Sequence, residues 1–247
     1  MIYTVYLMNL KESVALVTGA NRGLGACLVR ELLSAGAAKV YASARTVSAV
    51  AADITADPRV ATLTLDITDP LSVEKAAAAA QDVTVLVNNA GVLAFGSALG
   101  GDLDGFERDL RTNYLGTLRV TRAFAPVLER HAPAAVVNVL TLIALAPVGP
   151  MAGYSASKAA AHSITQALRA ELRSRGVTVL GAYPGGIDTD MLAGVQAEKA
   201  APELVASRIV AALADGQTVA FPDDASAQAG AVYRQDPLEL ERLLLGG

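Results

Sequence analysis

The sequence predicts an α/β protein: a doubly wound parallel sheet of about seven strands with helices on both faces, in one domain spanning residues 1–247. Three observations carry this expectation. Strand-like and helix-like segments alternate from end to end. The strand segments are rich in Val and Leu on both sides, as strands covered by helices on both faces must be. A glycine-rich turn ends the first strand and opens directly into a helix.

In order, residues 14–17 form the first strand and 25–34 the first helix. Strands at 39–43 and 60–65 follow, then an Ala-rich helix at 70–80 with Asp69 placed to cap it. Residues 83–87 make the fourth strand, and 103–130 read as one long helix. The fifth strand, 136–140, leads to a helix at 154–174, a sixth strand at 177–182 and a helix at 202–214. A short strand at 218–221 precedes Pro222-Asp223-Asp224, a polar stretch, and a final helix near 238–245.

A chain of 247 residues suits one large α/β domain. It is 53% hydrophobic with a mean hydropathy of +0.40. No stretch approaches the roughly 20 apolar residues of a spanning helix. The richest run, 136–148, is interrupted by Asn138 and Thr141 and contains Pro147. A soluble, cytoplasmic protein is therefore expected. The apolar start has neither a basic flank nor a cleavage site, so it is not read as a secretory signal. Residues 1–7 are an expected extra tail, with Met8 as the alternative start. The formal charge of −4 and the lack of a basic run speak against nucleic acid or an anionic membrane as partner. The single cysteine, Cys27, excludes an internal disulfide and suits a reducing compartment. His131 and His162 lie far apart without a cysteine cluster, so no metal site is expected.

Ligands of such sheets bind beyond the carboxyl ends of the strands. After the first strand comes Thr18-Gly19-Ala20-Asn21-Arg22-Gly23-Leu24-Gly25, whose glycines allow a tight turn and whose helix N-terminus presents N–H groups to a pyrophosphate. A glycine turn alone is weak, because turns punctuate every α/β protein. The spacing Gly-x-x-x-Gly-x-Gly, however, resembles the glycine motif of the short-chain dehydrogenase/reductase family. Asn88-Asn89-Ala90-Gly91 after the fourth strand and Pro184-Gly185 after the sixth match the same family, in order, over residues 14–189. The resemblance implies a Rossmann fold and a nicotinamide cofactor held by Gly19, Asn21, Arg22, Gly23, Leu24 and Gly25. It also places Asp66 and Ile67 near the adenine, Asn89, Ala90 and Gly91 along the cofactor, and Pro184, Gly185, Ile187 and Thr189 at the carboxamide.

NADP(H) is the expected cofactor. Where an NAD enzyme carries an acid at the end of the second strand, this chain has Ala44, followed by Arg45. Arg22 and Arg45 are expected to converge on the 2′-phosphate. The plain alternative is two solvated surface arginines.

Tyr154-Ser155-Ala156-Ser157-Lys158 places a phenol and an ammonium four residues apart on one helix face. A neighbouring ammonium favours phenolate and brings a tyrosine toward acid–base work. By itself Tyr-x-x-x-Lys arises by accident in many helices. The family resemblance makes Tyr154 the general acid/base, with Lys158 on the nicotinamide ribose and Asn113 ordering a water beside the lysine. Thirteen residues before the tyrosine, the family's serine is replaced by Thr141, which keeps a hydroxyl but adds a methyl. Thr141 is expected to hold the substrate oxygen; as a packing residue it would leave the site impaired.

The same topology nominates Leu93, Ala94, Leu142, Ile143, Met151, Gly186, Met191 and Leu192 as substrate contacts, though each can equally be core. Their apolar character suits an aliphatic or aromatic ketone or aldehyde, interconverted with its alcohol. Asp188 and Asp190 near the mouth make a carrier-linked acyl substrate less fitting. The short segment 189–202 predicts a reduced lid and a wide entrance. A homodimer through the helices at 103–130 and 154–174 is expected, and the unusual tail sets it ahead of a tetramer. Two rival readings remain at this point: a non-catalytic NADP-binding sensor or scaffold, and a lyase or epimerase using the same cofactor end.

Overall fold

The computed structural model describes residues 8–245; the expectation of an extra tail at 1–7 lies outside them. Seven parallel strands form one sheet: β1 (Val14–Thr18), β2 (Lys39–Ala44), β3 (Val60–Thr64), β4 (Val85–Asn88), β5 (Ala134–Val139), β6 (Val177–Ala182) and β7 (Val219–Ala220). Their order is β3-β2-β1-β4-β5-β6-β7, so the winding reverses between β1 and β4. That reversal opens a crevice at the strands' carboxyl ends. The registers Val17↔Val87 and Val17↔Ala42 align the last residues of β1 with both neighbours.

The helices are α1 (Gly23–Ser34), α2 (Ala52–Thr55), α3 (Pro70–Ala79), α4 (Leu103–Asp109), α5 (Thr117–Arg130), α6 (Ala152–Arg173), α7 (Pro202–Ala214), α8 (Asp224–Gln235) and α9 (Pro237–Leu245). Alternation along the strands sorts them into two layers. Ala15 and Val17 of β1 face a core with Leu28 and Leu32 of α1 and Ile209 and Leu213 of α7. Leu16 faces the opposite core with Val73 of α3, Phe124 and Leu128 of α5, and Leu168 of α6. α5 buries Val120, Phe124, Val127 and Leu128, a stripe at helical spacing. Asp69 caps α3 by accepting from the Leu71 N–H, with Pro70 at the first helical position.

Strand ends differ from expectation by one or two residues. Two larger differences matter more. The helix expected over 103–130 is interrupted: α4 passes into a π-helical turn at Leu110–Gly116 before α5 begins. The apolar period does not register one extra residue in a turn, because the helix axis continues. The expected polar stretch is instead α8. Asp223 caps it, accepting from the Ser226 N–H at 2.8 Å while Ser226 Oγ accepts from the Asp223 N–H at 3.1 Å. α8 buries few apolar residues, and a Cβ on Gly230 would come within 2.7 Å of the Phe221 ring. Its other packed residues, Ala229, Val232 and Tyr233, are only partly buried, so the apolar period is weak.

Candidate active site

The turn after β1 depends on its glycines. Gly19 and Gly23 have φ of 67° and 54°, and a Cβ on Gly25 would lie 2.1 Å from the Gly19 carbonyl oxygen. Thr18 stitches this turn to the one after β4, its Oγ1 accepting from the Asn89 and Ala90 N–H groups at 2.9 and 3.0 Å. Asn89 Nδ2 donates back to the Thr18 carbonyl at 2.9 Å. The crevice beyond is a cavity of about 1150 Å³. Every residue nominated from the sequence for the cofactor, from Gly19 through Arg45, Asp66 and Gly91 to Thr189, lines it.

Ala44 ends β2 buried, and Arg45 beside it reaches the cavity. Asp66 Oδ1 accepts from the Thr68 N–H and hydroxyl at 2.8 and 2.7 Å. Burial opposes its charge, but the Thr68 bonds and the charges of Arg45 and Arg111 hold the carboxyl below its ordinary range. A glycine cradle at a helix N-terminus fits the pyrophosphate of a dinucleotide.

Tyr154 and Lys158 lie on the first turns of α6 and line the same cavity. The helix start is keyed by Phe106 of α4, whose ring occupies the space of a Cβ on Gly153, 2.1 Å away. Lys158 Nζ donates to the Val139 carbonyl at 2.8 Å and stands 5.8 Å from the Tyr154 ring centre. Burial pushes the lysine down to about 8, against the opposing pull of Asp109. Burial, then Asp109, pushes the Tyr154 phenol above its ordinary value. The lowering expected from the ammonium is not found: burial governs the phenol, and the one charge acting on it, Asp109, adds to the rise.

Thr141 lines the cavity, and its hydroxyl donates to the Pro184 carbonyl over 3.3 Å. Asn113 sits in the π-helical turn, behind the cavity wall. Its Oδ1 accepts from the Val92 N–H, and its Nδ2 donates to the Val92 carbonyl and Ser157 Oγ, all at 2.9 Å. The amide thus ties the β4 loop to α6. π-Turns of this kind commonly re-aim functional side chains.

Of the nominated substrate contacts, Leu93, Leu142, Ile143, Met151, Gly186, Met191 and Leu192 line the cavity. Ala94 does not. Its N–H donates to Asp109 Oδ2 at 3.0 Å, while the preceding Val92 and Leu93 stay on the wall. Segment 189–202 holds only a short 3-10 turn, Asp190–Leu192, but the entrance has another wall. Ala225 of α8 and Leu244 of α9 line the cavity, and Leu240 and Leu244 pack with Leu142 and Ala146. Asp223 also accepts from the Gly185 N–H at 2.8 Å, pinning the turn after β6. Asp109, Asp223 and Leu244 escaped the sequence reading; the acid four residues before Asn113 was the one available signal.

No described helix is long and apolar enough to cross a membrane. Among the described residues no cluster of three His, Cys, Asp or Glu side chains is placed to hold a metal ion.

Known proteins resemble the chain at both levels. The pattern of the short chain dehydrogenase family matches residues 13–200. The short chain dehydrogenase pigC of Monascus ruber is 34% identical over 200 residues, 75% of this chain and 66% of that protein. The 1-deoxy-11-beta-hydroxypentalenate dehydrogenase of Streptomyces exfoliatus is 36% identical over 204 residues, 78% of this chain and 74% of its own. A short chain dehydrogenase from Burkholderia cenocepacia J2315, solved in complex with NADP, superposes with a TM-score of 0.91 at 37% identity. That match covers 96% of this chain and 99% of the other. Other solved neighbours hold NAD or NADH. With its glycine turn, its Asn-Asn-Ala-Gly turn and its Tyr-x-x-x-Lys helix all opening on one cavity, the chain belongs to the short-chain dehydrogenase/reductase family.

Proposed function

We propose that this protein is an NADP(H)-dependent carbonyl reductase or alcohol dehydrogenase, one oxidoreductase domain that interconverts an apolar ketone or aldehyde with its alcohol. The observation that carries the reading is the shared cavity. Tyr154, Lys158 and Thr141 open onto the space that the glycine turn, Arg22 and Arg45 also line. When bound, the cofactor supplies or accepts hydride at the substrate carbon.

The protein's own groups do the rest. A phenol held above its ordinary value by burial is protonated at neutral pH, which suits Tyr154 to donate a proton to the oxygen of a carbonyl being reduced. Thr141 turns its hydroxyl from Pro184 toward that oxygen, and Lys158, beside Gly91, meets the cofactor ribose. Asn113 holds the loop after β4 against α6. Arg22 and Arg45 select the 2′-phosphate, with Ala44 in place of the repelling acid. The walls from Leu93, Ile143, Met151 and Leu244 favour an aliphatic or aromatic substrate. The NADP held by the Burkholderia relative and the hydroxypentalenate named for the Streptomyces relative agree with this cofactor and with a carbon-rich alcohol.

Leu103, Leu110 and Leu115 expose apolar surface along α4 and the π-helical turn, which supports a homodimer through this face. The deciding experiment follows NADPH absorbance over a panel of apolar ketones, with Tyr154→Phe as control. Turnover by the parent, abolished in Tyr154→Phe while NADPH still binds, is the expected result. A parent that binds NADPH but reduces nothing in a broad panel supports a sensor instead.

A further inference from the structure

Asp109 closes α4 and is fully buried, yet only one of its oxygens is used. Oδ2 accepts from the Ala94 N–H at 3.0 Å, while Oδ1 has no hydrogen-bond partner. Neighbours on the same helix face fix its position. Three residues earlier, Phe106 packs on Gly153; four residues later, Asn113 Nδ2 donates to Ser157 Oγ. Gly153 and Ser157 are themselves one turn apart on α6. Asp109 therefore sits between these two contacts, level with the turn that carries Tyr154 and Lys158.

A buried carboxylate with a bare oxygen is costly unless a positive charge lies close by. Arg108, on its own helix, is exposed. Lys158 is 5% exposed, and among its hydrogen bonds only the one to the neutral Val139 carbonyl is seen. Burial pushes the Asp109 carboxyl above its ordinary range, and the Ala94 N–H and then the charges of Arg108 and Lys158 pull it back; of those two cations Lys158 is the buried one.

We infer that Asp109 is a positioning residue: its carboxylate, anchored on Ala94, is the counter-charge that keeps Lys158 cationic and fixes the loop between β4 and α4. The role given to Lys158 rests on the proposed reductase function; the charge pairing does not. The titratable groups facing Asp109 are Tyr154 and Lys158 from α6 and Arg108 from its own helix. Asp109 raises both α6 groups, so losing its charge lowers both. The sign of the effect is then the same whichever of the two governs a pH profile.

The test replaces Asp109 with Asn, which keeps an acceptor for the Ala94 N–H and removes the charge. Lys158 reactivity toward a small acylating reagent is followed against pH by mass spectrometry, with folding checked by circular dichroism. The midpoint should fall by about 1 pH unit relative to the parent. The limb of kcat/KM should move to lower pH with it, whereas a merely structural loss would scale the rate and leave the limb in place. An unmoved Lys158 midpoint in the folded variant overturns the inference. Should the Asn variant not fold, Asp109→Ser is read in the same way. In the parent, a Lys158 midpoint below about 7 would also overturn it, since a counter-charge holds a buried lysine up. Labelling needs no substrate, so failure to find a reducible carbonyl refutes the proposed function without touching this result.

Discussion

Arg22 Nη1 lies 2.6 Å from Asp190 Oδ2, an ion pair that joins the glycine turn to the loop after β6. Thr189 of that loop also reaches within 3.2 Å of where a Gly23 Cβ would stand. On the proposed reading Arg22 exchanges Asp190 for the 2′-phosphate, so the carboxylate competes with the cofactor. Both side chains are well exposed, at 69% and 74%, and such pairs are weak. Asp190→Asn should tighten NADPH binding by up to about fivefold and leave NADH unchanged. Arg45→Asp should reverse or erase the preference for NADPH, since it restores the acid and removes a base. Titrating both cofactors against each variant checks this; equal affinity of the parent for NADPH and NADH would sink the assignment.

Lys158 makes function and stability pull in opposite directions. Its folded value of about 8 lies below the ordinary 10.5, so the unfolded chain binds more protons between those values. Stability then rises with pH across that window, and the full penalty is present below pH 8. Lys158→Met alone would strand the buried Asp109 carboxylate, so it is combined with Asp109→Asn; with both charges gone, and allowing for the lost bond to Val139, the fold should be about 1–3 kcal/mol more stable at pH 7. The gain should shrink between about pH 8 and 10.5 while turnover is lost. Urea unfolding at a series of pH values reads it directly; a less stable variant at pH 7 would contradict the sign.

Thr141 departs from the family's serine, and its hydroxyl meets Pro184 over a long 3.3 Å. That weak bond leaves the donor free to turn toward a developing oxyanion. Loss of such a donor costs ~3 kcal/mol in comparable sites, so Thr141→Ala should cut kcat by about two orders of magnitude with a smaller change in KM. Thr141→Ser should stay active and shift the balance toward bulkier ketones or change product chirality. If the alanine variant matched the parent on one small and one bulky ketone, another group would have to hold the oxygen.

Leu244 of α9 closes the side of the cavity that the short lid leaves open. Leu244→Ala should raise KM for a bulky apolar ketone by about tenfold and hardly affect a small one, since only the larger ligand reaches that wall. Leu240, which is 1% exposed beneath it, should behave differently: Leu240→Ala should cost about 2–5 kcal/mol of stability. Equal KM changes for both ketones would show that α9 does not touch substrate.

The sheet, its winding and the cofactor end were legible in the sequence because each rests on short-range pattern. Unbroken runs of Val and Leu mark strands covered on both faces, the glycines of 19–25 announce a turn that no Cβ fits, and Tyr154 and Lys158 share a helix face by spacing alone. The rest depends on what meets across the fold. Arg22 and Asp190 are 168 residues apart, and nothing local to either announces the pair. Ala94 stands off the cavity wall with its N–H bonded to Asp109, a contact between the β4 loop and α4 that spacing along the chain does not announce. α8 was hidden because its fully buried positions are Ser226 and Gly230, and its apolar contacts Ala229, Val232 and Tyr233 are only partly buried. Spacing along the chain determined which groups face one another within an element. Burial, which shifts the titration of Lys158 and Tyr154, arises only when elements distant in sequence exclude water together, and so the tertiary structure alone decided it.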